Sequence, residues 1–209
     1  MSNADRNKLF DDWAATYDRA VFTPSDFPFA GYEQVLADIV RRADAGVDSL
    51  VLDLGTGTGN LAACFAARGC TVWGVDFSVE MLSQARIKLP QVQFVQSDLV
   101  DVWPNELNHQ FDAVVSAYVL HEFDDATKVD LIQRIVRQYL KPDGRVLIGD
   151  IAFATAGARE QARQQLGDRW DEDEYYWAAD EALDRLRQAG LAAEYTQISA
   201  CGGVFVVQR

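Results

Sequence analysis

From residue 50 onward, short apolar runs alternate with helix-length amphipathic stretches, and that rhythm constrains the fold more than any other feature of the sequence. Leu50-Val51-Leu52-Asp53-Leu54 reads as a buried strand stopped by glycines, with a helix at Leu61–Arg68 and a strand at Thr71–Val75 after it. Ser78 suits the N-cap of a helix that carries Met81, Leu82 and Ala85 on one face. Val92–Val95 and Phe111–Ser116 are predicted as the third and fourth strands. Asp125 is expected to cap a long helix in which Val129, Ile132, Val136 and Tyr139 recur at helical spacing. Lys141-Pro142-Asp143-Gly144 stops that helix and turns the chain into a fifth strand, Arg145–Gly149. This βαβ alternation predicts a parallel sheet with helices on both faces.

The last thirty residues depart from the rhythm. A helix around Asp180–Ala189, capped by Gly190, precedes strands at Ala193–Ile198 and Val204–Val207. Ser199-Ala200-Cys201-Gly202-Gly203 is too short a link for a parallel crossover, so the pair is expected to be an antiparallel hairpin.

Composition narrows the function classes. A chain of 209 residues, 49% apolar, can bury one full core, and its formal charge of −13 comes without the clustered Lys/Arg that phosphate backbones require. No apolar run reaches the roughly 18–20 residues of a membrane span, and no basic segment leads into an apolar one. Cys64, Cys70 and Cys201 are odd in number and lack a C-x-x-C, which fits reduced cytoplasmic thiols. With His109 and His121 the sole histidines, no metal site is expected. The expected partner is a small molecule, not nucleic acid or membrane, for a monomer or homodimer.

Residues 10–32 and 168–184 hold 11 of the 23 aromatics in 40 positions, among them Trp13, Tyr17, Trp170 and Trp177. Leu9, Trp13 and Tyr17 share a helical spacing that predicts an amphipathic helix across the domain. Two readings stand: satellite packing, or covers over the carboxyl edge of the sheet, where open α/β folds bind ligands. Residues 168–184 also carry eight acids against one Arg, either a solvated face or the cover of a site for a neutral or cationic acceptor.

The chemistry concentrates in Asp53-Leu54-Gly55-Thr56-Gly57-Thr58-Gly59, which leaves the first strand and opens a helix. Alternating glycines permit a sharp turn and a ligand close to the main chain, and free N–H groups at the helix start suit an anionic group. Asp76 ends the second strand 21 residues after Gly55, where a carboxylate can accept hydrogen bonds from both ribose hydroxyls. The dinucleotide fingerprint G-x-G-x-x-G is not met: the third glycine comes one residue early and Asn60 follows it. A nucleoside without a pyrophosphate fits better.

On these residues the chain resembles the class I S-adenosylmethionine-dependent methyltransferases of the bacterial small-molecule type. Ser97-Asp98-Leu99 resembles their turn beside the adenine, and Phe111-Asp112-Ala113-Val114-Val115-Ser116 their fourth strand. Leu140-Lys141-Pro142-Asp143-Gly144 resembles the segment before their fifth strand, and Phe10-Asp11-Asp12-Trp13 with Tyr17-Asp18 their first helix. The resemblance implies a Rossmann-like, seven-stranded, mostly parallel sheet with a C-terminal antiparallel hairpin and helices on both faces. It implies one domain over 1–209: an N-terminal helical cover (5–45), a cofactor-binding core (50–150), an acidic aromatic insert (151–180) and a terminal helix and hairpin (181–209). The implied cofactor-binding residues are Tyr17, Asp53, Gly55, Thr56, Gly57, Gly59, Asp76, Phe77, Met81, Asp98, Leu99, Ser116 and Ala117. Phe77, Met81 and Leu99 suit a plain core as well, and Asp98 a turn.

Methyl transfer from a sulfonium needs orientation and exclusion of water, and a base only where the acceptor keeps its proton. His121, just beyond the fourth strand, is the candidate catalytic residue, since histidine titrates near neutrality. It competes with a purely structural His121. Ser116-Ala117-Tyr118-Val119 lacks the Asn/Asp-Pro-Pro-aromatic run of amino-directed enzymes for adenine or glutamine, and no cysteine stands there for carbon-5 pyrimidine chemistry. The implied activity is S-adenosylmethionine-dependent methylation of a small molecule. Its rivals are a regulatory protein that binds the cofactor without turnover and, opposed by the glycine spacing and the hairpin, a NAD-dependent dehydrogenase.

Overall fold

The computed structural model describes residues 11–22 and 27–209; the expectations for Leu9, Phe10 and the first residues of the N-terminal cover lie outside them. Residues 11–13 are helical, a turn follows, and α1 (Tyr17–Phe22) begins anew. The helix expected to run unbroken through Trp13 and Tyr17 is therefore interrupted. Thr16 turns back onto the Trp13 carbonyl through its amide and hydroxyl, and its own carbonyl starts α1 by accepting from Ala20. The cover continues into α2 (Tyr32–Ala43), whose Val35 and Ile39 press on the β-sheet.

The core follows as β1 (Leu50–Leu54), α3 (Asn60–Ala66), β2 (Thr71–Asp76), α4 (Val79–Lys88), β3 (Gln93–Gln96), β4 (Phe111–Ala117), α5 (Asp125–Arg134) and β5 (Leu140–Phe153). Ser78 caps α4 as expected, accepting from Met81 N at 3.1 Å. Asp125 does not cap α5; Asp124 does, accepting from Thr127 N at 2.8 Å. The long helix also ends early, giving way to a π turn over Ile135–Tyr139. Ile135 and Val136 are adjacent and both buried, and the wider turn adds the extra residue that turns both inward.

The fifth strand starts before the expected turn and runs past its expected end. Phe111 pairs with Leu140 and Ala113 with Arg145, so residues 141–144 form a bulge within β5 rather than a link ahead of it. Lys141 Nζ donates to both oxygens of Asp112 at 2.9 Å, and Leu50 N donates to the same carboxylate at 2.8 Å, tying the bulge to the start of β1. Beyond Gly149 the strand continues through Asp150 and Ile151 to Phe153 because it has partners there, β8 on one edge and β6 at its tip.

After β5 come α6 (Ala156–Leu166), β6 (Trp177–Ala178), α7 (Ala179–Gln188), β7 (Ala192–Gln197) and β8 (Gly202–Gln208). The insert thus contains α6, a polar helix with no buried residue, and a two-residue strand that raises the sheet to eight. The order is β3-β2-β1-β4-β5-β8-β7. All pairings are parallel except β5–β8 and β7–β8, the expected hairpin. Two apolar clusters fill the two faces, one under α5 and α7, the other under α2 and α3. At Gly149 a Cβ would stand 2.5 Å from Val35 and 2.6 Å from Ile39, so α2 lies directly on β5 there. Among the described residues no helix is long and apolar enough to cross a membrane.

Candidate active site

Chain order reverses between β1 and β4, which are neighbours in the sheet, and a crevice at such a switch point opens at the strands' carboxyl ends. The glycine-rich turn sits there. Thr56 N donates to Val75 O at 2.8 Å, fixing the turn onto β2, and Thr56 Oγ1 donates to Asp53 Oδ2 at 2.7 Å beneath it. Asp76 braces the other side: Oδ2 accepts from Gly57 N and Oδ1 from Ser78 N, both at 2.9 Å. Burial pushes Asp53 up to about 7, with the Asp76 charge adding to the push and Thr56 and the Ala62 amide opposing it.

Gly55 and Gly57 both adopt left-handed backbone, φ 64° and 53°. A Cβ on Gly55 would lie 2.4 Å from Val119 Cγ2, whereas one on Gly57 would meet only Met81 Sδ at 4.0 Å. Gly55→Ala is therefore expected to cost about 2–4 kcal/mol from strain and overlap together. Thermal melts should fall by several degrees, and adding Val119→Ala should restore the packing share alone.

The cleft is lined by Tyr17, Gly55, Gly57, Asp76, Phe77, Met81, Leu99, Ala117, Tyr118, Val119 and Glu122. Eight of the residues singled out in the sequence thus converge on one space. The others do not line it. Asp53, Thr56 and Gly59 hold the turn from behind, with Gly59 preceding α3 as its cap residue. Ser116 is buried and donates to Leu54 O at 2.9 Å, bonding β4 to β1. Asp98 accepts from Val100 N at 3.2 Å in the turn before Leu99. Tyr118, Val119 and Glu122 line the cleft without having been expected to; their signal is position, directly beyond β4.

The N-terminal cover is fastened across this cleft by two carboxylates. Asp11 accepts from Ser78 Oγ at 2.5 Å. Asp18 accepts from Thr58 Oγ1 at 2.6 Å, Asn60 Nδ2 at 3.0 Å and Lys88 Nζ at 2.8 Å. Burial alone would raise Asp18, but Lys88, Thr58 and Asn60 together hold it below the usual carboxylate range. Between these ties, Tyr17 reaches the cleft with its phenol kept protonated by burial and by Tyr32.

His121 stands beside the cleft in a 3-10 turn, Leu120–Glu122, and is buried. Its Nδ1 lies 2.5 Å from Asp150 Oδ1, and its amide donates to Asp150 Oδ2 at 2.9 Å. The same carboxylate, fully buried at the carboxyl end of β5, accepts from Trp177 Nε1 and Ile151 N, both at 2.9 Å. Burial would lower His121, but the charge and hydrogen bond of Asp150 outweigh it, with Glu174 and Glu122 adding, and push it up to about 9. His121 is thus an imidazolium at neutral pH, not the near-neutral titrating group its residue type suggests. Asp150 itself was not singled out, although a lone acid directly after the expected strand Arg145–Gly149 is a readable signal.

The two aromatic segments meet over the same edge. Phe27 stacks on Trp170 at 6.0 Å between centroids, Trp170 meets Tyr176 edge-on at 4.6 Å, and Tyr176 lies 6.1 Å from the His121 ring. Tyr175 N donates to His121 O at 2.7 Å, and the buried Lys128 donates to Tyr175 O with its ammonium 4.2 Å above the Trp177 ring. The insert is therefore anchored on the turn that carries His121.

A switch-point crevice with a glycine turn, a strand-end acid and a half-apolar wall defines a nucleoside-binding α/β protein. Residues 51–144 match a methyltransferase domain family. An uncharacterized methyltransferase of Geobacillus kaustophilus is 30% identical over 204 residues, covering 92% of this chain and 91% of its own. One of Bacillus subtilis is 32% identical over 200 residues, 90% and 91% of the two chains. Among solved structures, DhpI in complex with SAM and HEP superposes with a TM-score of 0.73 at 23% identity over 100% of both chains. Magnesium protoporphyrin IX methyltransferase from Synechocystis with bound SAH gives 0.73 at 19%, also over 100% of both. The chain belongs to the class I S-adenosylmethionine-dependent methyltransferases, and its cofactor is S-adenosylmethionine.

Proposed function

We propose that this enzyme methylates a small-molecule acceptor that enters between the cofactor cleft and the two aromatic covers. The observation that carries the reading is the convergence of the glycine turn, Asp76, Phe77, Met81, Leu99 and Ala117 on one cleft, with Tyr17 above it and His121 beside it. The groups fit the cofactor: the space over Gly57 is open for the amino-acid end, and the Asp76 carboxylate, ending β2 beside it, would accept from the ribose hydroxyls. Phe77, Met81 and Leu99 would face the adenine, with Asp98 in the adjacent turn for its amino group. Asp53, Thr56, Gly59 and Ser116 would serve by holding the turn and the floor.

The bound cofactor supplies a methyl group on a sulfonium, already activated for transfer. What the chain must add is alignment and dryness, and the aromatic covers provide walls for both. His121, held charged by Asp150, would donate a hydrogen bond to the acceptor, and it would take up a proton once that charge is lost. Free thiols in the three cysteines suit a cytoplasmic protein.

Calorimetric titration with S-adenosylmethionine, its demethylated product and NAD tests the reading, with binding expected for the two sulfur nucleosides and not for NAD. Folded protein that binds neither would sink it. A product screen over amines, thiols and hydroxyl compounds then tests turnover, and consistent failure would favour a cofactor-binding protein without catalysis. In the same assays Asp18→Ala should speed cofactor release by about three- to tenfold, as expected from losing hydrogen bonds of about 1 kcal/mol in a half-exposed tie. Stopped-flow displacement measures that rate.

A further inference from the structure

We propose that Arg134 is a positioning residue for the base of the cofactor: from the end of α5 its guanidinium grips the backbone of the turn at Asp98–Asp101 and so sets where Leu99 walls the cleft. This role rests on the cofactor-cleft reading above and names the residue that makes the adenine end selective.

Arg134 reaches back over 35 positions to donate from Nη2 to Leu99 O, and over 33 to donate from Nη1 to Asp101 O at 2.8 Å. Leu99 O also accepts from Trp103 Nε1 at 3.2 Å, and the guanidinium carbon of Arg134 lies 4.7 Å from the centre of the Trp103 ring. The turn is itself a unit. Asp98 Oδ1 accepts from Val100 N at 3.2 Å, and Asp98 O accepts from Asp101 N at 3.3 Å. Holding the Leu99 and Asp101 carbonyls therefore holds the whole turn, with Leu99 in the cleft wall and Asp98 just before it.

Packing alone does not account for Arg134. Leu99 also borders a second, open groove, which it shares with Val100, Thr127, Leu131 and Arg134 on the α5 side. Val100 is half-exposed, so the turn has room to shift outward, and the two carbonyl bonds from Arg134 oppose that movement. Arg134 Nε is moreover buried and makes no hydrogen bond among the described residues. A buried N–H without a partner is a cost, and a Met of similar length would fill the space over Trp103 without it. What the guanidinium alone supplies is a planar fork that reaches two carbonyls at once, which neither Met nor the point charge of Lys reproduces.

The test compares the full chain with its Arg134→Met, Arg134→Lys and Arg137→Gln variants. Calorimetry measures the affinity of three compounds: S-adenosylhomocysteine, S-inosylhomocysteine, in which a carbonyl replaces the adenine amino group, and S-ribosylhomocysteine, which lacks the base. Wild type is expected to prefer the adenosyl over the inosyl compound by about tenfold or more. Arg134→Met should bind the adenosyl compound about tenfold more weakly and hold less than about threefold preference. Its affinity for the base-free compound should stay within about twofold of wild type, since the ribose and amino-acid contacts lie elsewhere. Its melting temperature should stay within a few degrees, because Trp103 Nε1 still satisfies Leu99 O. Arg134→Lys should fall between the two, and Arg137→Gln, which alters an exposed residue of the π turn, should match wild type. No preference in wild type, an unchanged preference in Arg134→Met, an equal loss for the base-free compound, or equal erosion by Arg137→Gln would overturn the inference. Should Arg134→Met melt before it can be assayed, Arg134→Lys decides: a lowered preference supports the role and an unchanged one overturns it. Wild type that binds none of the three compounds would instead overturn the methyltransferase reading of the cleft, so the two failures are separable.

Discussion

Asp76→Asn is expected to weaken S-adenosylmethionine binding by about 100-fold while leaving the melting temperature within a few degrees. Charge-assisted hydrogen bonds are worth roughly twice neutral ones, and about 2.7 kcal/mol of lost interaction corresponds to that factor. The carboxylate has two tasks that the amide cannot share out. Each oxygen takes a backbone donor, Gly57 N or Ser78 N, and the same carboxylate would accept from the ribose hydroxyls. An amide offers one accepting oxygen, and its NH2 would oppose one of those backbone donors. Asp76→Glu keeps the charge and displaces it by a methylene, so it should fall between wild type and Asp76→Asn. Calorimetry with S-adenosylmethionine decides the matter, and an affinity for Asp76→Asn within threefold of wild type would remove the ribose from this residue.

Asp76 was legible in the sequence because its signal is local: an acid ending an apolar strand at a fixed distance from a glycine turn. The parallel core and the hairpin were legible for the same reason, since strand length, link length and glycine placement are short-range properties. What escaped depends on partners far apart in the chain. Asp18 meets Thr58, Asn60 and Lys88 only after folding, and nothing near residue 18 announces them. The π turn at Ile135–Tyr139 reflects two adjacent apolar residues that must both face inward, a demand set by the sheet they pack on. Ser116 shows a different dependence on the fold. Its residue type and position at the end of β4 suit a ligand contact, but alternation along the strand turns its hydroxyl to Leu54 O. His121 shows the deepest limit. The residue was identified, yet its charge state is imposed by Asp150, 29 positions away.

Replacing Asp150 should therefore have a large effect on both stability and protonation. Four donors converge on this one carboxylate: His121 Nδ1, His121 N, Trp177 Nε1 and Ile151 N. Asp150→Ala strands them in the interior and is expected to cost about 3–5 kcal/mol, since removing one partner of a buried ion pair leaves the other uncompensated. Asp150→Asn keeps the shape and removes the charge, which makes it the sharper experiment. In the wild type His121 is raised from about 6.5 to about 9, so its contribution to stability is complete below pH 6.5 and is lost as pH rises through 9. Asp150 is depressed, against burial, chiefly by His121; its contribution is present above its ordinary value and fades in acid. Together they predict a stability plateau from the ordinary Asp range up to about pH 6.5, with losses in acid below it and a steady decline from pH 6.5 through 9. In Asp150→Asn, burial of His121 is no longer outweighed by its nearest anion, so NMR titration should find the imidazole near or below its ordinary value. Urea unfolding at pH 6.5 and 9.5 should then lose the alkaline decline, on the order of 3 kcal/mol, that the wild type shows. A variant in which His121 still titrates near 9, with the alkaline decline intact, would place the source of its charge in Glu174 and Glu122 instead.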